Sequence, residues 1–246
     1  MSDFAENLEK IRERIARAEQ AADRVSGSVR LLAVSKTRPA GAVRAAWAAG
    51  QAAFGENYVQ EGLAKIAALA DLPLEWHFIG PLQSNKTREV AEHFHWLHSL
   101  EREKIALRLA SQRPAGLPPL QVCLQVNIDD EASKAGCLPA DLPALARAVL
   151  ALPALELRGL MCIPRPGNSA AFAALAKTRQ DLLASIPGLS PERFDTLSMG
   201  MSDDLEAAIA AGSTLVRVGT ALFGARPAVM PGFRPEGSAA APGNPQ

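Results

Sequence analysis

A single (β/α)8 barrel carrying an extra N-terminal helix is the fold class that this sequence predicts. Three observations predict it. Short apolar runs alternate with helical stretches eight times; 246 residues, 48% hydrophobic and 21% charged, suit one such domain; and the last two runs each lead into a glycine-containing turn. Strands alternating with helices pair in parallel through right-handed crossovers, and eight units suggest closure, with an open doubly wound sheet as the alternative.

The segment from Ser2 to Arg24 sets Phe4, Leu8, Ile11, Ile15 and Ala18 at helical spacing among charges, which predicts one amphipathic helix. After Ser26-Gly27-Ser28 comes the apolar run 29–35, then Pro39 and an alanine-rich helix to Gly50, a strand followed by a helix. The same alternation gives strands at 52–55, 75–79, 96–99, 120–126, 156–163, 193–197 and 215–218. Helices fall between them: one reaching Ala70, then Thr87 to His93, one from Arg102, Asp141 to Leu152, Ala170 to Ser185 and Asp203 to Ala211. Residues 1–230 read as one barrel domain. Residues 231–246, mostly Pro, Gly, Ala and Ser, read as a disordered tail whose burial would not repay its ordering.

Basic and acidic residues both count 26, so no net field draws the chain to nucleic acid or an anionic membrane. The N-terminus is charged from the start and lacks a signal peptide's apolar stretch, and no run approaches membrane-spanning length. Cys123, Cys137 and Cys162 are too few and too scattered for a disulfide framework or a zinc site. A cytoplasmic monomer is the expectation.

Loops after the strands form the active face of a parallel barrel, and three lysines follow strands: Lys36, Lys86 and Lys134. Lys36 ends the apolar run 31–34, where poor hydration favours the neutral, nucleophilic amine. The other two lie deeper in polar loops. After the last two strands, Ser198-Met199-Gly200-Met201-Ser202, with Ser202 as an N-cap, and Arg217-Val218-Gly219-Thr220 offer amides, hydroxyls and a cation to a phosphate. Ordinary helix caps are the plainer explanation of both turns. His93, His95 and His98 cross from a helix end into a strand, so their rings should diverge, and no metal site is expected. His77 is equally compatible with facing the pocket and with a hydrogen-bonded place in the core.

Several blocks, in order along the chain, resemble the pyridoxal phosphate homeostasis protein family. They are Ala33-Val34-Ser35-Lys36-Thr37, Phe54-Gly55-Glu56-Asn57-Tyr58, Trp76-His77-Phe78-Ile79-Gly80 with Leu82-Gln83-Ser84-Asn85-Lys86, Gly159-Leu160-Met161, Leu197 to Asp203, and Arg217 to Gly224. The resemblance implies the barrel of the alanine racemase N-terminal domain, with pyridoxal 5′-phosphate (PLP) as cofactor on Lys36 as a Schiff base. It further implies that Ser198, Gly200, Gly219 and Thr220 hold the phosphate, that Arg217 lies beside the pyridine nitrogen, and that Asn57 and Met161 lie near the ring. A permanent cation at that nitrogen disfavours protonating it and makes the ring a poorer electron sink. Alternatively, Arg217 pairs with an acid such as Asp195.

Function divides three ways. An amino-acid racemase needs a second base opposite Lys36, and the resembling racemases draw a tyrosine from an added β domain. Here Tyr58 is the sole tyrosine, so Tyr58, His77 or another pocket residue would have to serve. A sugar-phosphate aldolase or isomerase would use Lys36 without PLP. A non-catalytic reservoir or carrier, supplying PLP to apo-forms of PLP-dependent enzymes, fits the residues best.

Overall fold

The computed structural model describes residues 2–129 and 135–224. Lys134 and the whole of 225–246, including the expected tail, lie outside the described residues. Eight parallel strands close into a barrel in sequence order. They are β1 (Arg30–Val34), β2 (Ala53–Glu56), β3 (Glu75–Phe78), β4 (Trp96–Leu100), β5 (Leu120–Gln125), β6 (Leu155–Met161), β7 (Thr196–Ser198) and β8 (Leu215–Val218). The ladder from Arg30 to Ala33 against Leu215 to Val218 makes the closure.

Helices α1 (Ser2–Ala21), α2 (Ala40–Ala48), α3 (Val59–Ala68), α4 (Thr87–His93), α5 (Glu103–Gln112), α6 (Leu142–Leu150), α7 (Ala170–Ser185), α8 (Leu205–Ala210) and α9 (Thr220–Phe223) surround the sheet. Their apolar stripes meet the outward faces of the strands, which is why strand residues such as Phe54, Val122 and Val216 are fully buried outside the barrel as well as beside it. The extra helix α1 buries Leu8, Ile11, Ile15 and Ala18. It is pinned near the end of the barrel by Arg14 to Glu206 at 2.7 Å, Asn7 Nδ2 to the Leu222 carbonyl at 3.2 Å, and Phe4 against Phe223. Among the described residues, no helix is long and apolar enough to cross a membrane.

Among the boundaries that differ from the sequence reading, three have a clear physical cause. Helix α1 ends at Ala21, where Asp23 turns to a positive φ of 51° and Arg24 caps the carbonyls of Ile209 and Ser213. Strand β7 begins at Thr196 rather than Arg193, because Arg193 and Phe194 both bond back to the Ser190 carbonyl in a turn. Helix α8 starts at Leu205, so Ser202 is not its N-cap; Asp204 takes that place and accepts from the Met201 amide at 2.6 Å.

The barrel interior is filled, with Leu32, Ile79 and Leu215 in one cluster and Trp96, Cys123 and Met161 in another. Its N-terminal end is floored by charge pairs. Arg30 meets Glu75 at 2.7 Å, and Arg158 meets Asp195 at 2.6 Å while bonding Gln121 and lying over the Trp96 ring. Where β6 meets β7, Gly159 packs so closely that a Cβ would fall 1.7 Å from the Thr196 carbonyl oxygen. Gly159→Ala therefore has to push two strands apart. Urea denaturation is expected to show a loss of about 3 kcal/mol, at the upper end for overpacking.

Candidate functional site

The chain leaves β1 through Ser35, whose amide continues the ladder to the Gly55 carbonyl at 3.0 Å, and Lys36 follows half-buried at the C-terminal mouth of the barrel. Thr37 adopts φ +64°, a left-handed conformation that a β-branched residue rarely takes. The turn is held from both sides by one buried cation. Lys65 of α3 donates to the Ser35 carbonyl at 2.6 Å, to Glu56 Oε1 at 2.7 Å and to Glu61 Oε1 at 2.7 Å, which accounts for all three ammonium protons. Glu61 Oε1 also accepts the Thr37 amide, and Glu56 Oε1 the Ser35 hydroxyl. Burial raises the Glu56 pKa to about 7 despite Lys65 and Ser35.

Across the closure ladder lies the turn after β8. A Cβ on Gly219 would sit 3.3 Å from the Val34 carbonyl oxygen, so this turn is pressed against the strand that presents Lys36. Thr220 follows it, exposed, at the start of α9. The turn after β7 is tied to the same place: Gly200, at φ +93°, accepts the Arg217 amide at 3.0 Å, and a Cβ there would collide with Ala208 at 2.6 Å. On the other flank, Gly80 lets β3 pass against the Asn57 backbone, where a Cβ would fall 2.1 Å from its carbonyl. Asn57 Oδ1 is buried with no hydrogen-bond partner.

Arg217 points into the barrel and does not pair with Asp195, which Arg158 occupies. Its guanidinium donates to the Ser198 carbonyl at 2.6 Å, the Ser198 hydroxyl at 2.8 Å and the Cys162 carbonyl at 2.9 Å. Burial lowers its pKa from the usual value, against the opposing pull of Cys162 and Asp204. The Ser198 hydroxyl is fully buried, shared between Arg217 and His98 Nδ1 at 2.8 Å. Met161 is wholly buried beside Trp96 and Cys123. Thus Lys36, Gly200, Arg217, Gly219 and Asn57 gather at one mouth, while Ser198 and Met161 lie in the wall beneath.

His77 is a core residue: Nε2 meets Glu75 at 2.5 Å, Nδ1 meets His98 at 2.9 Å, and the ring stacks on Trp96. His93 bonds the Glu89 carbonyl and His95 accepts the Trp76 amide, so the clustered histidines do diverge. Lys86 lies 3.8 Å from Glu89. The sequence reading passed over Lys65, Glu56 and Glu61. Their signal was present, since Val59, Gly62 and Lys65 share the buried face of α3, which sets a lysine on an apolar stripe.

Comparisons with known proteins agree with the barrel fold. The model of the alanine racemase N-terminal domain matches residues 7–227. A protein of Pseudomonas aeruginosa called pyridoxal phosphate homeostasis protein is 65% identical over 228 residues, covering 92% of this chain and 97% of that one. The solved structure of PipY from Synechococcus elongatus with PLP bound is 43% identical, covers 85% of this chain and 100% of its own, and has a TM-score of 0.74. An alanine racemase of Clostridium difficile, 12% identical at a TM-score of 0.72, shares the fold across 93% of this chain and 58% of its own.

Two outcomes follow from the buried charges. Lys65→Met strands two carboxylates in the interior, and should cost about 3–5 kcal/mol in urea denaturation. His77, which burial pushes down to about 4, stays neutral when folded although an unfolded histidine takes a proton near 6.5. Between those values the unfolded chain binds the extra proton, so this group's stabilisation is complete above 6.5 and declines as pH falls to 4. Ring NMR signals of His77 should accordingly begin to titrate only near pH 4.

Proposed function

The chain belongs to the pyridoxal phosphate homeostasis protein family, built on the alanine racemase N-terminal domain, and on that premise we propose that it holds PLP as a Schiff base on Lys36. In this role it is an intracellular reservoir and carrier, without efficient catalysis, that supplies apo-forms of PLP-dependent enzymes. The observation that carries the proposal is the packing of the Gly219 turn on Val34, two residues before Lys36, across the β1–β8 ladder. On this reading the Lys36 amine and a phosphate cradle would share one mouth.

The residues fit the cofactor. Gly200 and Gly219 keep side-chain bulk out of the turns, and Thr220 adds an exposed hydroxyl, as a phosphate requires. Asn57 carries an unpartnered buried oxygen, and among the described residues Arg217 has N–H groups beyond the three that are bonded. Arg217 would donate to the pyridine nitrogen, and Ser198 would serve by holding Arg217. Met161 would line the wall under the ring. Bound PLP supplies an aldehyde and an electron-accepting ring. A guanidinium at the ring nitrogen restrains that acceptor.

A further observation favours holding over turnover. His77 has both ring nitrogens engaged and no exposure, so it is withdrawn as a second base. Burial also pushes the Cys123 and Cys137 thiols up to about 12, leaving unreactive free cysteines that suit a reducing cytoplasm. We take the protein to act there as a monomer, without nucleic acid or membrane.

The purified protein should show the visible absorbance of protein-bound PLP, and Lys36→Ala should abolish it. Borohydride treatment should fix the cofactor to the peptide that contains Lys36. D- and L-amino acids should interconvert no faster than with free PLP; turnover well above that would displace the carrier reading in favour of a racemase.

A further inference from the structure

Arg217 is a buried cation that makes no salt bridge among the described residues: its guanidinium donates to two backbone carbonyls and one hydroxyl, and Asp204 acts on it only through its field. Such a charge is costly unless something compensates it. From its Ser198 contact a continuous line of hydrogen bonds runs down through the barrel. Ser198 Oγ meets His98 Nδ1 at 2.8 Å, His98 Nε2 meets His77 Nδ1 at 2.9 Å, and His77 Nε2 meets Glu75 Oε1 at 2.5 Å. Glu75 then pairs with Arg30 at the opposite face.

The direction of every proton in this line is fixed by its ends. Burial works to raise the Glu75 pKa, but His77 and Arg30 outweigh it and hold the carboxylate below its ordinary range, so Glu75 only accepts. Arg217 only donates. Burial keeps both histidines neutral, each with one donor and one acceptor nitrogen. His77 must therefore carry its proton on Nε2, His98 must donate from Nε2 to His77, and Ser198 must donate to His98 while accepting from Arg217. Each neutral group turns its lone pair toward Arg217 and its N–H or O–H toward Glu75. The line is a row of aligned dipoles between a cation and an anion. Trp96, stacked on His77 at 5.3 Å and 7°, restricts the ring that begins it.

We propose that Glu75, on the N-terminal face, is a positioning residue for Arg217 at the C-terminal mouth, acting through His77, His98 and Ser198 as its relayed counter-charge. The line aims the guanidinium and sets its field at whatever Arg217 contacts. Only the cofactor consequence rests on the proposed PLP site; the line itself belongs to the apo-protein.

The test begins with the apo-protein, labelled with 15N at histidine and arginine. At pH 7 both His77 and His98 should be neutral Nε2–H tautomers, and the Arg217 Nε–H signal should be protected from exchange. Glu75→Gln, whose amide can also donate, should introduce the Nδ1–H tautomer at His77 and shift the His98 and Arg217 signals. Ser198→Ala cuts the line at its other end and serves if Glu75→Gln does not fold; it should alter the His98 and Arg217 signals, and Ser198→Thr should restore them. In the PLP-loaded protein either cut should move the visible band and weaken PLP retention roughly 10-fold, whereas Arg44→Gln, at a surface pair with Asp71 outside the line, should change neither. A charged ring or an Nδ1–H tautomer in the wild type overturns the proposal. So do His98 and Arg217 signals indifferent to both cuts. If the apo signals behave as stated but the band of bound PLP does not respond, the line stands and the placement of Arg217 beside the cofactor falls.

Discussion

Closure of the sheet between β1 and β8 is the constraint on which the rest of this structure depends. The four-residue register from Arg30 to Ala33 with Leu215 to Val218 removes both sheet edges. It also brings residues more than 180 positions apart, Lys36 and Gly219, to the same mouth. An open sheet of the same strands would leave the lysine at one margin and the glycine turn at the other. The candidate site exists because the ends of the sheet meet.

Around that closure, two polar systems replace part of an apolar interior, and they do different work. Lys65 with Glu56 and Glu61 lies outside the barrel wall, between β2 and α3, and clamps the backbone on either side of Lys36. The line from Glu75 to Arg217 lies inside the barrel and orients a side chain. Neither is the best means of gaining stability, since buried charge pairs recover little beyond their desolvation cost. Both instead remove freedom from groups at the mouth. Thr37 at φ +64° shows how firmly: the clamp holds a conformation that the residue alone would avoid.

The barrel was legible in the sequence because each unit repeats a short apolar run, a polar loop and a helical stretch. Lys36 stood out because it ends an apolar run, and the turns after β7 and β8 because each sets a glycine near a hydroxyl. What stayed hidden was pairing. The strands are buried on both faces, as in β4, where all five residues are buried, so alternation cannot show that His98 looks inward. Arg217 stood out as a cation beside the Gly219 turn, but its acceptors come from Ser198 and Cys162, 19 and 55 positions away. The start of β7 was misplaced because Arg193 and Phe194 have strand-like residue types while their amides close a turn on Ser190.

The charged floor of the barrel gives it a topology of use as well as of structure. With Arg30 on Glu75, Arg158 on Asp195, and Trp96 packed above them, the described residues close the N-terminal end over a filled interior. Anything that settles beside Lys36 must depart by the way it came. The described residues thus form a vessel closed at its base, in which filling and pouring are competing uses of the same lip.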